Sequence, residues 1–212
     1  IRDYGRSRGL GDLYKRQLIL YAEHSFNVST FTARTITSSL SDIHGAITGA
    51  IASLKGPLHG GANEEVMHMM NKIKKPEKAL KWIKNALKNK EVVMGFGHRV
   101  YKSGDSRVPT MKSYFEKVCK IKKDKKFLKI YEIVEKEMID KKNIHPNVDY
   151  PTGPTYHLMG FDTDFFTPIF VISRITGWSA HIMEQHASNK LIRPLAKYKG
   201  NKHRQVMLLN QR

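Results

Sequence analysis

The fold class is decided by residues 30–57, which read TFTARTITSSLSDIHGAITGAIASLKGP. The stretch is rich in Ala, Gly, Ser and Thr, and Asn27 just before it can serve as a helix N-cap. Lys55-Gly-Pro ends it, because Gly favours a helix C-terminus and Pro cannot continue a helix. We therefore predict one long helix over residues 30–54, packed closely among other helices because small side chains allow close contact.

Helical spacing of apolar residues also dominates the rest of the chain. A first amphipathic helix begins near Leu10 and runs towards His24, whereas the alternation typical of a strand appears only briefly, at 91–94. Further helices are predicted over 62–73, 77–88, 109–120, 127–141 and 165–185. Short loops are predicted at 55–64, 95–107, 145–153 and 189–198. The pattern favours an all-α fold.

The net charge of +18 suggests a polyanionic partner, and nucleic acid is the usual candidate. The excess is concentrated in 72–90 and 117–129, where lysines are spaced by apolar residues. These segments lack the rows of aromatic residues that a base-stacking surface requires. Lysines at this spacing are typical of the solvated face of an amphipathic helix, so we expect no nucleic-acid partner. A small anionic ligand is a second explanation for the charge.

The composition is that of an ordinary globular protein, with 40% hydrophobic and 26% charged residues. The longest apolar run, at 168–172, is far too short to cross a bilayer, so we predict no transmembrane segment. Cys119 is the single cysteine, which rules out an internal disulfide and is compatible with a reducing compartment. No pair of histidines has the spacing of zinc ligands, so we expect no metal.

Two loops present a histidine among glycines. His59 lies in Gly56-Pro-Leu-His-Gly-Gly-Ala-Asn-Glu, at the predicted start of a helix. There the helix dipole favours a neutral ring that can donate a hydrogen bond, although a turn histidine without a role is the alternative. His98 lies in Gly95-Phe-Gly-His-Arg-Val-Tyr, whose Gly-x-Gly is only weak evidence for phosphate binding.

Three charged residues stand in unusual places. Arg107 lies two residues after Asp105, and it can bind a ligand carboxylate bidentately or form a surface ion pair with that acid. Asp149, in Pro146-Asn-Val-Asp-Tyr-Pro, can act as a general base or cap the helix that follows. Arg174 lies in an apolar helix, where it needs an anionic ligand or a buried salt bridge.

Taken together, these segments resemble the citrate synthase family, which includes the 2-methylcitrate synthases. The agreement extends in order and spacing from about residue 10 to the tail, and it is most specific in the two histidine loops and the Asp149 loop. The matching segments are Leu20-Tyr-Ala-Glu-His-Ser-Phe-Asn-Val-Ser-Thr, Gly56 to Glu64, Gly95 to Tyr101, Pro146 to Tyr150, Phe166-Thr-Pro, Gly177-Trp, Ala180-His and Leu191-Ile-Arg-Pro.

The resemblance implies an enzyme that condenses acetyl-CoA or propionyl-CoA with oxaloacetate and then hydrolyses the thioester. Asp149 would remove an α-proton, neutral His59 would hydrogen-bond the enolate, and His98 would donate to the oxaloacetate carbonyl. No cofactor is expected, since coenzyme A enters with the substrate. The residues implied for oxaloacetate are His24, His98, Arg107, Arg174 and, from the partner of a homodimer, Arg193. Those implied for coenzyme A are Gly95, Phe96 and Gly97, with Lys102 and Lys142 as weaker candidates for its phosphates.

The resemblance also implies a two-domain helical fold. Residues 1–60 and 161–212 would belong to a large domain, and 61–160 to a small domain that closes over oxaloacetate. Members of the family begin well before Ile1, so we expect the C-terminal half of a cytoplasmic enzyme, with any targeting segment outside the chain. The alternative is a non-catalytic half that only dimerises. Ser106 departs from the family, which usually has Pro there.

Overall fold

The chain is all-helical, as predicted, in a computed structural model that describes residues 2–101, 103–201 and 205–212, with the backbone alone for 2–10 and 13. The α-helices are α1 (Arg2–Ala22), α2 (Val28–Thr37), α3 (Ile43–Leu54), α4 (Ala62–Ile73), α5 (Pro76–Lys88), α6 (Val108–Lys122), α7 (Lys126–Lys142), α8 (Asp149–Met159) and α9 (Phe166–Ala187). Short 3-10 turns span Thr163–Phe165 and Leu209–Gln211.

The prediction of a single helix over residues 30–54 is wrong, because the segment forms α2 and α3, which pack against each other as a hairpin. The chain turns at Leu40, whose φ of 65° is left-handed. Asp42 then caps α3 by accepting a backbone N–H from the first turn of that helix at 2.8 Å. Gly49 lies directly against Ile36, and a Cβ at position 49 would clash with that side chain. The small residues therefore serve a contact between two short helices.

The prediction of a loop over residues 145–153 is wrong from Asp149 onward, because α8 begins there. Pro151 lies in the first turn, where its missing N–H costs no hydrogen bond within the helix. Pro154 lies inside the helix, which the local sequence therefore disfavours. Every residue from 149 to 156 is buried, so tertiary packing stabilises a helix that propensity does not predict.

The strand-like alternation at 91–94 forms no strand in the described part of the chain. The β-type pairing found there is one antiparallel bridge between Phe96 and Pro146, flanked by two backbone hydrogen bonds of 2.9 Å. The bridge joins the loop that carries His98 to the segment that leads into Asp149.

The helices pack in two groups around a shared apolar core. Helices α1, α2 and α3 pack with α9, and α4 to α8 pack with one another. Contacts of α4 with α9 and of α1 with α6 join the two groups. The largest fully buried side chains include Trp178, Tyr21, Tyr150 and Phe166. Tyr21 at the end of α1 bonds Asp149 at the start of α8, so helix ends from both groups meet at one place.

The lysine-rich segments lie on the surface. Every lysine in 72–90 and 117–129 is exposed, whereas Ala79, Ile83 and Phe127 on the same helices are buried. The predicted solvated faces are therefore confirmed. In the residues that the structure describes, no helix is both long enough and apolar enough to span a membrane.

Candidate active site

Asp149 is the first residue of α8, and its side chain is buried. Tyr21 Oη donates a hydrogen bond of 2.7 Å to Asp149 Oδ1. Burial raises the pKa of Asp149 to about 6, although the Tyr21 hydrogen bond and the charge of Arg107 oppose the rise. Burial and the charge of Asp149 raise the pKa of Tyr21 well above its usual value, so the phenol keeps its proton and remains the donor. A buried carboxylate with a pKa near neutrality has the properties of a general base.

Arg174 lies on α9 and is only 1% exposed. Its Nε donates to the backbone oxygen of Tyr21 at 2.6 Å, and its guanidinium carbon lies 4.9 Å from the centre of the Phe170 ring. Burial and the charge of Arg107 lower the pKa of Arg174 to about 10, which leaves it protonated at neutral pH. Among the described residues, its Nη1 has no hydrogen-bond partner and no acid forms a salt bridge with it. Of the two explanations that the sequence allowed, this favours an anionic ligand.

His24 and His98 face each other, with 3.3 Å between their Nε2 atoms. Val100 and Tyr101 donate their backbone N–H groups to His98 Nδ1, at 3.1 and 3.3 Å. Because Nδ1 accepts, the proton of neutral His98 lies on Nε2, which is therefore a hydrogen-bond donor. Burial, and then the charge of Arg107, lowers the pKa of His24 to about 4, and burial also lowers the pKa of His98. Both rings are therefore neutral at neutral pH.

His59 is held in the opposite tautomer. The backbone N–H of Ser29 donates to His59 Nε2 at 3.2 Å, so the proton of the neutral ring lies on Nδ1. Ser29 Oγ lies 2.9 Å from the same nitrogen and accepts a hydrogen bond from Trp178 Nε1 at 3.1 Å. Burial and the charge of Arg174 lower the pKa of His59 to about 4. His59 thus presents an uncharged Nδ1–H donor, in agreement with the neutral ring expected near the start of α4.

Arg107 and Asp105 form a bidentate ion pair, with an Nε–Oδ1 distance of 3.0 Å and an Nη2–Oδ2 distance of 2.7 Å. A surface pair was one of the two alternatives that the sequence left open for Arg107, but Asp105 is only 3% exposed, so the pair is not on the surface. Burial favours the uncharged forms, yet the hydrogen bonds between the two side chains outweigh it, lowering the pKa of Asp105 and raising that of Arg107. Asp105 Oδ2 also accepts the Val148 N–H at 3.2 Å, which ties the pair to the start of α8 beside Asp149.

Of the residues expected to contact coenzyme A, Gly97 lies beside this cluster. Gly97 and His98 line a cavity of about 210 Å³ together with Asn143, which directly follows Lys142. Lys142 is exposed at the end of α7. Lys102 lies outside the described residues.

The other expected residues differ in their surroundings. Gly95 is buried, and Phe96 packs on Tyr150 with 4.4 Å between ring centres. Arg193 is exposed beyond the end of α9, next to Ile192, whose N–H donates to a serine hydroxyl on the α2–α3 hairpin at 3.1 Å. In the described part of the chain, no three His, Cys, Asp or Glu side chains are grouped so as to hold a metal ion.

Comparison with known proteins agrees with this arrangement. Residues 4–195 match the family model for the citrate synthase C-terminal domain. The chain belongs to the citrate synthase family.

Individual members of the citrate synthase family are similar over almost all of this chain. The 2-methylcitrate synthase 2 of Corynebacterium glutamicum is 58% identical over 199 residues, which cover 94% of this chain and 52% of that protein. A citrate synthase of Mycolicibacterium smegmatis is 57% identical over 92% of this chain and 52% of its own length. The chain thus spans about half the length of the curated relatives it matches.

Solved structures of the family show the same fold. A ternary complex of citrate synthase from Thermoplasma acidophilum with carboxymethyl coenzyme A and oxaloacetate has a TM-score of 0.86 at 39% identity. The match covers 95% of this chain and 55% of that one. A citrate synthase from Thermotoga maritima has a TM-score of 0.84 at 37% identity, over 94% of this chain and 56% of that one.

Sequence reasoning assigned no role to Tyr21, Ser29 or Trp178, which nevertheless hold the candidate residues of this citrate synthase family site in place. All three lie in segments that carry the family resemblance. Their residue type gave one indication, because the O–H of a buried Tyr and the N–H of a buried Trp usually form a hydrogen bond. The sequence does not say which partner, since that depends on contacts between distant parts of the chain.

Proposed function

We propose that the protein condenses acetyl-CoA or propionyl-CoA with oxaloacetate and then hydrolyses the thioester to release coenzyme A. The observation that carries this proposal is a buried carboxylate, Asp149, whose pKa is about 6, within a site that also holds two neutral histidines of opposite tautomer. A base of this strength suits proton removal next to a carbonyl, and two N–H donors suit oxygens that gain charge. The names of the relatives support the same reaction.

Oxaloacetate, a dianion, would bind among Arg174, Arg107 and His24, with Arg193 contributed by a partner subunit. The Nη1 of Arg174, buried without a partner among the described residues, supports this placement because guanidinium groups bind carboxylates well. Asp105 occupies Nε and Nη2 of Arg107, so Nη1 remains for a ligand. Neutral His24 adds no further charge to the site.

In the proposed reaction, Asp149 takes a proton from the α-carbon of the acyl-CoA. The electron pair of the broken C–H bond forms the carbon–carbon double bond of the enolate, and the carbonyl π pair moves onto the thioester oxygen, which accepts a hydrogen bond from His59 Nδ1. The α-carbon then attacks the ketone carbon of oxaloacetate, and the ketone oxygen takes the proton from His98 Nε2. His98 regains a proton by way of solvent as Asp149 gives up the one it took. Water next adds to the thioester carbonyl, and coenzyme A leaves as the thiol. Base and donors must act together, because a thioester α-proton is too weakly acidic for a carboxylate alone.

Coenzyme A would lie along Gly95, Phe96 and Gly97, with Lys102 and Lys142 near its phosphates. The cavity beside Gly97 supports this placement, because it adjoins His98 and reaches the end of α7. No other cofactor is proposed.

We also propose that residues 1–60 and 161–212 form one domain and residues 61–160 another, which closes over oxaloacetate before the acyl-CoA binds. The two groups of helices support this division, since few helix pairs join them. Because Asp149 is on α8 and Tyr21 on α1, closure would bring the base into the bonded position described here.

A homodimer fits the remaining surface of the α2–α3 hairpin. Phe31, Ile43 and Ile51 are exposed apolar side chains there, which a second copy of the chain would cover. Arg193 is exposed near the same hairpin, from which it would reach the neighbouring site.

We also propose that the enzyme acts in the cytoplasm.

Of the two acyl-CoA substrates, we propose that propionyl-CoA is preferred, because relatives named 2-methylcitrate synthase at 53–58% identity come from two genera, whereas the citrate synthase of Mycolicibacterium smegmatis stands beside them at 57%. The preference is expected to be modest, since one methylene changes binding by only about 1–3 kcal/mol.

The test is thiol release from each acyl-CoA by the complete gene product, with and without oxaloacetate. Oxaloacetate-dependent release that is lost in Asp149→Asn is expected. A dimer that binds oxaloacetate but releases no thiol would instead support the alternative, a non-catalytic dimerisation module.

A further inference from the structure

The segment between α1 and α2, residues 23–27, carries His24 and is held against α9 by charged side chains. His181 on α9 is central, with its Nε2 3.1 Å from Glu23 Oε1 and its Nδ1 3.1 Å from Arg34 Nη1. Arg34, on α2, also bonds Glu184 on α9. We refer to Glu23, Arg34, His181 and Glu184 as the His181 cluster.

The hydrogen bonds of the His181 cluster have a defined direction. A guanidinium donates and never accepts, so His181 Nδ1 accepts from Arg34. The ring proton of neutral His181 therefore lies on Nε2, which donates to the carboxylate of Glu23. The result is a continuous chain from Glu184 through Arg34 and His181 to Glu23. It ends on the residue that directly precedes His24.

Packing around this chain of bonds is close. A Cβ at Gly177, one turn before His181, would clash with the backbone oxygen of Ala22 and lie 2.6 Å from a carboxylate oxygen of Glu23. The Phe26 ring lies 5.6 Å from the His181 ring and 5.2 Å from the Arg34 guanidinium carbon. Both ends of residues 23–27 therefore rest on α9 or on the side chains that it holds.

The position of this segment determines where His24 lies. Within the segment, the backbone oxygen of His24 accepts a hydrogen bond of 3.5 Å from Asn27 Nδ2, and the Tyr101 ring lies 5.5 Å from the His24 ring. The His24 ring lies 3.3 Å from His98, a residue of a different loop, and the backbone of His24 sits in an irregular turn where Ser25 has a left-handed φ of 52°. A small shift of residues 23–27 would separate the two imidazole rings and change the distance from His24 to Arg107 and Arg174.

We propose that His181 is a positioning residue that sets the place of His24 in the oxaloacetate site by fixing Glu23. This inference rests on the proposed function. His181 itself touches no reacting atom, and it acts through the backbone that joins Glu23 to His24.

The test uses His181→Leu in the complete gene product. We expect the KM for oxaloacetate to rise about tenfold, which corresponds to the loss of roughly one charge-assisted hydrogen bond. The KM for acyl-CoA should change less than about twofold. His181→Gln should restore most of the binding, because its amide can accept from Arg34 and donate to Glu23. The matched control is Lys112→Gln, which removes the partly buried ion pair between Lys112 on α6 and Glu135 on α7. Neither residue belongs to the His181 cluster, so both KM values should stay unchanged.

Three results would overturn the proposal. They are an unchanged KM for oxaloacetate in His181→Leu, an equal rise in both KM values, and a Gln variant that behaves like Leu. Hydrogen–deuterium exchange of residues 23–30 provides a test that does not depend on activity, with faster exchange expected in His181→Leu than in His181→Gln. If the parent protein has no condensing activity, the proposed function fails, whereas equal exchange in the two variants refutes the role of His181.

Discussion

Replacing Tyr21 with Phe isolates one hydrogen bond at the candidate base. The phenol donates to Asp149 Oδ1 at 2.7 Å, and the ring stacks on Phe170 with 3.7 Å between ring centres. Phe keeps the ring and its stacking but removes the donor. Because the lost bond favours the ionised carboxylate, the pKa of Asp149 must rise in the variant.

The size of the rise follows from the strength of the bond. A hydrogen bond to a charged group contributes about 1.5–3 kcal/mol, and one pKa unit corresponds to about 1.4 kcal/mol, so the shift is about 1–2 units. Starting from about 6, the pKa of Asp149 would reach about 7–8. At pH 7 the ionised fraction, and the rate if Asp149 is the base, would then fall about two- to tenfold.

The assay is the pH profile of kcat for oxaloacetate-dependent thiol release, measured from pH 5.5 to 9.5 in the complete gene product. The acid limb of the profile should move to higher pH, while the rate at pH 9 stays close to that of the parent. The control is Tyr131→Phe, which removes another buried phenol that bonds a carboxylate, Glu135, and should leave the profile unchanged.

Two outcomes would refute the reasoning about Tyr21. A profile that keeps its acid limb in place shows that the phenol does not influence the base. A uniform loss of rate at every pH shows that Tyr21 acts by placing Asp149 rather than by stabilising its charge.

Four further predictions follow, two for Asp149, one for the lysine faces and one for the subunit boundary. In Asp149→Asn, condensation should disappear while oxaloacetate still binds. The folded-state pKa of Asp149, about 6, lies above its ordinary 3.8, so its ionisation opposes folding as pH rises between these values. Asp149→Asn should therefore raise the free energy of unfolding by about 2–3 kcal/mol at pH 8 and by little at pH 4, and a Tm at pH 8 that does not rise contradicts this. Exchanging four exposed lysines for Gln should leave the KM for acyl-CoA unchanged; the four are Lys122, Lys123, Lys125 and Lys126. A large increase in that KM would show that these lysines bind the phosphates of coenzyme A. Heterodimers of Asp149→Asn with Arg193→Leu should regain about half of the parent's sites, because one site collects both defects; inactive heterodimers would place Arg193 within its own subunit's site.

Local sequence patterns were sufficient where a helix has a continuous apolar stripe. Helix α4 spans the residues predicted for it, Ala62–Ile73, and the lysine-rich helices expose the faces expected of them. The same reasoning was wrong for residues 30–54, because small residues signal a close contact without saying whether one helix or two make it. It also missed the start of α8, whose prolines disfavour a helix that burial then stabilises.

By itself, the sequence determined the helical class and, through a family pattern, a set of candidate residues for one site. Their roles in catalysis and binding remain predictions. Only the tertiary structure decided the pKa of Asp149, the tautomers of the histidines and the orientation of these groups. The pKa of Asp149 is set by burial and by Tyr21, which is 128 positions away along the chain. The tautomer of His59 depends on Ser29, and the pairing of His24 depends on His98. Desolvation and hydrogen-bond direction depend on which atoms are in contact in the folded protein. The order of residue types along the chain does not specify those contacts.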